Sequence, residues 1–331
     1  MTILVTGAAG FIGYHVTHAL LSRGHPVIGI DNVNDYYDPA LKNARLARIA
    51  SETDSGRQWR FQKVNIADRA AMDTFMKPLL PSLTHIIHLA AQAGVRYSLT
   101  HPHAYIESNI VGHLNILEYA RSMPKLKHLV YASSSSVYGA NTELPFSTTQ
   151  KTDQPISLYA ATKKSDELMS YTYSHLYNIP MTGLRFFTVY GPWGRPDMAY
   201  YSFTKDIMTG TPIKVFGDGK LKRDFTYIDD IVTGVLSVFA KPPVKKDGAP
   251  AHKIYNLGND KSEPLMDFIR TLERAVGKPA QLVMSPMQPG DVVATHADIN
   301  DARKDLGYNP RTLISDGLPK FVRWFKEYHR I

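Results

Sequence analysis

A short β-branched run, Thr2–Thr6, ends in Gly7-Ala8-Ala9-Gly10-Phe11-Ile12-Gly13 and passes directly into an apolar-periodic stretch through Leu21. Few folds accept that order. Strand, glycine turn and helix together open a parallel βαβ unit, in which the glycines let a pyrophosphate approach the backbone. The start of the helix offers free N–H groups and a positive dipole end. Pro26–Ile30 reads as the next strand, with Asp31 at its end. An acid about 20 residues after the glycines binds adenosine ribose hydroxyls and repels a 2′-phosphate, which favours NAD over NADP. Ala9, Phe11 and Ile12 in the turn, and Asn32 after the acid, are expected to touch the same cofactor.

The rest of the chain continues the alternation. Arg60–Val64, His85–Leu89, Leu126–Ala132, Met181–Phe186 and Lys253–Gly258 read as further strands, with helical stretches at 41–49, 67–80, 105–121 and 157–177. Strands alternating with helices predict an α/β fold, a doubly wound parallel sheet. Beyond Met198 the alternation fades. Ile213–Phe216 and Arg223–Ile228 read as short strands, Asp229-Asp230 as the cap of a helix to about Phe239, and Pro264–Val276, Asp301–Leu306 and Ile314–His329 as helices. The expected division is a cofactor domain of residues 1–184 plus about 224–258, and a smaller, discontinuous C-terminal substrate lobe of about 185–223 and 259–331. The helices at 105–121 and 157–177 are long enough to pair with their copies in a homodimer. His88, inside an apolar strand, reads as a packed core histidine.

Open α/β sheets bind ligands at the carboxyl ends of their strands. There the sequence places Leu89-Ala90-Ala91, small residues suited to a ligand lying on the backbone, and Ser133-Ser134-Ser135-Ser136, hydroxyls lining a site. Tyr159-Ala160-Ala161-Thr162-Lys163 follows, at the start of a helix. Residues four apart on a helix share a face. A phenol is a poor base at neutral pH, with a pKa of about 10. A nearby ammonium and a bound nicotinamide cation favour the phenolate. Such a phenolate takes a proton from a substrate hydroxyl while hydride leaves the same carbon.

Composition narrows the classes. The chain has 331 residues and no cysteine, which excludes disulfides, thiolate catalysis and cysteine-based zinc sites and suits a reducing, cytoplasmic compartment. No metal is expected. The formal net charge of +8 is dispersed, so it reads as background plus a site for an anionic ligand, not a nucleic-acid surface. No apolar run reaches membrane-spanning length, and the N-terminus leads straight into a strand without a signal-peptide pattern.

Taken together, Gly7/Gly10/Gly13, Asp31, Leu89-Ala90-Ala91, Asn109, Ser134/Ser136, Tyr159/Lys163 and Arg223-Asp224-Phe225 resemble the extended branch of the short-chain dehydrogenase/reductase superfamily, the NAD-dependent nucleotide-sugar epimerases and dehydratases, over essentially the whole length. The resemblance implies a Rossmann-type domain holding NAD tightly and a lobe binding a UDP- or dTDP-sugar. It implies catalytic roles for Tyr159, Lys163, Ser134 and Ser136, and NAD contacts from Asn65, Ile66, Asn109, Ser133 and Phe186. It implies substrate contacts from Gln92, Val215, Arg223 (to the diphosphate) and Asp291 in Gln288-Pro289-Gly290-Asp291. Many relatives carry arginine where Gln288 stands, and aspartate where Asn65 stands.

Dehydratases of this branch place an Asp-Glu pair after the fifth strand, and decarboxylating relatives an acid; here Ser135-Ser136 stands there. What remains is reversible oxidation at one carbon, which is epimerisation. Asn34-Asp35-Tyr36-Tyr37-Asp38, Ala93-Gly94-Val95-Arg96-Tyr97-Ser98 and the run from Arg185 to Met198 are similar to the UDP-glucuronate 4-epimerases. That similarity implies a uronic carboxylate held by Thr188 and Arg195, with Arg96 nearby. The alternatives are a UDP-glucose/UDP-galactose 4-epimerase, a UDP-glucuronate decarboxylase and a non-catalytic NAD-binding protein.

Overall fold

The computed structural model of the chain describes residues 1–52, 58–288 and 290–331. Pro289, in the Gln288–Asp291 run considered above, lies outside them. The first six strands are β1 (Thr2–Thr6), β2 (Val27–Asp31), β3 (Trp59–Lys63), β4 (Leu83–His88), β5 (His128–Ser134) and β6 (Met181–Phe186). After them come β7 (Thr188–Tyr190), β8 (Ile213–Phe216), β9 (Lys222–Tyr227), β10 (His252–Leu257), β11 (Ser262–Pro264) and β12 (Leu282–Ser285). Seven form one sheet in the order β10-β6-β5-β4-β1-β2-β3, parallel at every pairing. The order reverses between β1 and β4, and such a switch point opens a crevice at the strands' carboxyl ends.

A parallel sheet covered on both faces needs strands that are apolar on both sides. β2 and β6 are buried along their whole length. In β1, Ile3 and Val5 join one core and Leu4 the other, as the two-residue period of a strand requires. The edge strand β3 turns Arg60, Gln62 and Lys63 to solvent, which blunts it against pairing with another chain.

The 157–177 expectation is met by a helix over Leu158–Tyr177. Ser157 caps it, accepting from the Ala160 N–H at 3.1 Å, and Asn178 ends it in the left-handed conformation. The helix expected at 105–121 is interrupted by a π-helical stretch, Ile106–Val111, which contains Asn109. Asp229 and Asp230 do not cap their helix. They lie in the first turn of Ile228–Phe239, and Asp230 instead accepts from the backbone of Arg311 and Thr312 at 3.3 and 3.0 Å.

The helix Ala199–Thr209 and strands β7, β11 and β12 fall where the sequence showed no regular period. Two of these strands join β9 in a separate three-stranded sheet, β11-β9-β7, and β12 pairs with β8. From 224–258, β10 joins the main sheet and β9 does not. The helix between them packs on the helix Phe11–Leu21 against the main sheet.

Candidate active site

The carboxyl ends of β1, β2, β4, β5 and β6 open into a cleft of about 420 Å³, roofed by segments from 188–198 and 290–295. At its floor the glycine turn is built for close approach. Gly7 sits at φ +72°, and a Cβ there would lie 2.7 Å from the Ala90 nitrogen; a Cβ on Gly13 would lie 2.0 Å from the Gly7 carbonyl oxygen. Gly10 caps the helix Phe11–Leu21 without a side chain, so the helix start is left for a ligand. Asp31 is buried at the end of β2. One of its oxygens accepts from the Ala9 N–H at 3.2 Å and the other from the Val33 N–H at 2.8 Å, with lone pairs to spare for a ribose diol. These features fit a dinucleotide.

Gly7, Gly10, Phe11, Ile12, Gly13, Asp31, Asn32, Asn65 and Ile66 line the cleft, as do Leu89, Ala90, Ala91, Gln92, Ser133 and Phe186. Ala9 and Asn109 lie behind the lining. Ala9 is fully buried, with its carbonyl accepting from Arg45 at 2.8 Å. Asn109 clamps the loop after β4, accepting from the Gln92 N–H at 2.8 Å and donating to its carbonyl at 3.0 Å. His88 is buried and hydrogen-bonded to Thr6 Oγ1 at 2.7 Å; burial, with His113 and Lys163 nearby, holds it neutral.

Above the floor, Tyr159, Lys163, Ser134, Ser136, Thr188, Arg195, Arg223 and Asp291 face the same space. Tyr159 packs edge-on against the ring of Tyr105, centroids 5.9 Å apart, and Tyr105 is fixed by O–H bonds to the carbonyls of Ala93 and Gly94. Ser134 donates to Ser136 Oγ and accepts from the Ser136 N–H, each at 3.1 Å, so the two hydroxyls act as one unit. Ser133 turns away and donates to Glu167 at 2.7 Å. Glu167 in turn takes both forks of Arg185, at 2.8 and 2.9 Å, in a buried pair tying the helix Leu158–Tyr177 to β6.

Some partners were not foreseen. Lys163 donates to Asp166 at 2.8 Å, one helical turn on, with both side chains buried; burial pushes the Asp166 carboxyl up to about 6 despite the ammonium. The Lys-x-x-Asp spacing carried that signal. An ammonium has three donors, so Lys163 keeps two for the cleft. Arg195 is paired with Asp197, and Lys42, held by Asn34, also lines the cleft. Arg96 stands outside the lining but reaches across the mouth. It pairs with Asp291 at 3.0 Å and lies over the Phe216 ring at 4.7 Å. Val215 does not reach the cleft; it is fully buried in β8.

Residues 3–258 match the model of the NAD dependent epimerase/dehydratase family. UDP-glucuronate 4-epimerase 4 of Arabidopsis thaliana is 50% identical over 99% of this chain and 76% of its own. Protein CapI of Staphylococcus aureus is 49% identical over the full length of both. A crystal structure of the UDP-glucuronic acid 4-epimerase from Bacillus cereus, in complex with UDP-glucuronic acid and NAD, superposes with a TM-score of 0.89 at 34% identity, covering 99% of this chain and 100% of that one. A dinucleotide cradle at the switch point, a Tyr-x-x-x-Lys helix beside paired serines and full-length similarity of this depth have one conclusion: the chain belongs to the NAD-dependent epimerase/dehydratase family.

Proposed function

We propose that the chain is an isomerase, an NAD-dependent 4-epimerase converting UDP-glucuronic acid to UDP-galacturonic acid by transient oxidation at C4. The observation that carries this reading is the loop after β5. It sets Ser134 and Ser136 in the same cleft as Tyr159 with no carboxylate among them, in a chain half identical to a UDP-glucuronate 4-epimerase.

NAD bound in the glycine cradle, with its ribose on Asp31, supplies the acceptor and later the donor of hydride at C4. Tyr159 takes the proton of the 4-hydroxyl and returns it to the same oxygen after the ring has turned over. Ser134 and Ser136 hydrogen-bond that oxygen throughout. Lys163, steadied by Asp166, directs its free N–H donors at the nicotinamide ribose and the phenolate. Arg223, half-buried near the Arg96–Asp291 pair, anchors the diphosphate about which the sugar turns. Thr188 and Arg195 hold the uronic carboxylate. The 4-keto, 5-carboxyl sugar is a β-keto acid, and it loses carbon dioxide only when the C5–C6 bond aligns with the carbonyl π system. A carboxylate held near the ring plane resists that loss.

The Arg195–Asp197 pair favours a second reading. A guanidinium already neutralised suits a neutral sugar too, which makes UDP-glucose the competing substrate. Side-by-side turnover, followed by proton NMR of the anomeric signals, decides between them. Turnover of UDP-glucuronate with UDP-glucose slow or inert is the expected result, and turnover of UDP-glucose alone contradicts the assignment.

The working unit is a homodimer in the cytoplasm. The helices Gly112–Arg121 and Leu158–Tyr177, with the π-helical stretch before the first, expose Ile106, Val111, Leu114, Leu168, Tyr171 and Leu176, an apolar face suited to a second copy. Sedimentation at micromolar concentration should return twice the chain mass. Residues 1–184 with about 224–258 act as the cofactor half, and about 185–223 with 259–331 as the substrate half. Among the described residues no helix is long and apolar enough to cross a membrane.

A further inference from the structure

Two stretches far apart in sequence, Asn34–Asp38 and Arg195–Met198, meet at one carboxylate. Arg195 donates to Asp197 through Nε at 3.0 Å and Nη2 at 2.6 Å. Tyr36 donates its O–H to the same carboxylate at 2.9 Å, and its ring faces the Arg195 guanidinium at 5.9 Å. Tyr36 is itself packed on Tyr97, ring centroids 4.8 Å apart, and the Arg195 N–H donates to the Tyr200 hydroxyl at 2.9 Å. Burial alone would raise the Asp197 carboxyl, but Arg195 outweighs it and keeps the group ionised. Arg195 and Tyr36 line the cleft, and Asp197 does not.

A guanidinium has two edges that can each grip a carboxylate by two parallel bonds. Asp197 occupies the Nε–Nη2 edge and does not engage the Nη1–Nη2 edge. We propose that Asp197 and Tyr36 are positioning residues for the uronic acid: they lock Arg195 by one edge so that the other receives the C5 carboxylate at a fixed angle. This rests on the reading of Arg195 given above.

Two consequences follow from the chemistry. A free arginine side chain has several rotamers open to it and would let the carboxylate swing; a locked one fixes its plane. Asp197 also repels a second carboxylate across the same guanidinium, so the grip is oriented without being strong. That suits a substrate whose ring must let go and turn over between the two halves of the reaction. When orientation fails, the C5–C6 electron pair flows into the C4 carbonyl as an enolate, carbon dioxide leaves, and C5 takes a proton from water. The product is a UDP-4-keto-pentose, and the hydride taken from C4 stays on the nucleotide as NADH.

The test uses UDP-glucuronate labelled with carbon-13 at C6. For Asp197→Asn, the expected KM is no higher than wild type, because the repulsion is gone. The expected kcat falls, and the fraction of turnovers released as labelled carbon dioxide rises by about tenfold, within the roughly 10²-fold that a 1 Å misplacement can cost. Tyr36→Phe, which removes a single O–H, should move in the same direction by less, and it carries the test if Asp197→Asn fails to fold. Wild-type kcat with clean product overturns the proposal. So does a lower kcat with a raised KM and clean product, the signature of a loop merely disturbed. Arg195→Lys separates the two levels. Carbon dioxide from that variant but not from Asp197→Asn removes Asp197 alone, whereas clean product from both removes the carboxylate role of Arg195 as well.

Discussion

The two halves of the cleft are made from different materials. The cofactor half is mostly backbone: a glycine turn, a helix start without a side-chain cap and a strand-end aspartate bonded to two N–H groups. The substrate half is mostly side chains that cross between loops, such as Arg195 with Asp197 and Tyr36, and Arg96 with Asp291 and Phe216. Arg185 and Arg195, ten residues apart, show the contrast in one residue type. Arg185 and Glu167 are buried, at 3% and 2% side-chain exposure, and join a helix to a strand. Arg195 and Asp197, at 22% and 28%, remain partly accessible, and Arg195 lines the cleft. A pair closed to water holds structure together; a pair left partly open has an edge to offer a ligand.

Substitutions can break this comparison at several levels. Tyr159→Phe, at the junction of the halves, should lower epimerisation by about 10³-fold with NAD still bound, since it removes the acid–base group alone. Retained activity in a single-turnover assay would move the base elsewhere. Arg185→Met should destabilise the fold by up to about 3–5 kcal/mol, because it leaves the buried Glu167 with only Ser133 at 2.7 Å and a 3.5 Å contact from Lys164, a loss to be read by urea unfolding. A change as small as that expected at an exposed pair would erase the distinction between the two arginines. Gly13→Ala should empty the cofactor half, because the new Cβ meets the Gly7 carbonyl oxygen. The readout is NAD released on denaturing the purified protein.

A pH effect comes from β9, in the three-stranded sheet. Burial raises the Asp224 carboxyl to about 6, although Asn259, Ala297 and Thr226 all donate to it. The folded chain therefore binds that proton more tightly than the unfolded chain. The stability it contributes is fully present below about pH 4 and is lost as the pH rises through about 6. The gap in unfolding free energy between wild type and Asp224→Asn should shrink across that window, by about 2–3 kcal/mol. A gap that does not move with pH would show the aspartate's proton to be unperturbed. Smallest of all, Arg96→Ala should cost less than about 1 kcal/mol of stability, as exposed pairs do, while raising KM for the UDP-sugar.

The same contrast explains what the sequence made legible. Gly7, Gly10, Gly13 and Asp31 form a local pattern whose physical meaning is contained within one βαβ unit. Arg195 could be named as a candidate, but Tyr36 could not be assigned to its site, because 161 residues separate Tyr36 from its acceptor, Asp197. The strands β7, β11 and β12 are three or four residues long, too short to show a period. The helix Leu158–Tyr177 shows a subtler limit. It buries Lys163, Asp166, Glu167, Ser170 and Ser174 and exposes Leu168 and Leu176, the reverse of an ordinary surface helix, so its apolar residues point away from the site. Val215 is the opposite case, an apolar residue expected at the substrate and found in the core instead.

The most direct test uses UDP-glucuronic acid deuterated at C4, incubated with the purified protein and no added cofactor. The account predicts UDP-galacturonic acid with the deuterium still on C4, because hydride leaves and returns through a nucleotide that never departs the cleft. Product in which the C4 deuterium has exchanged with water, or no product until NAD is supplied, would contradict it.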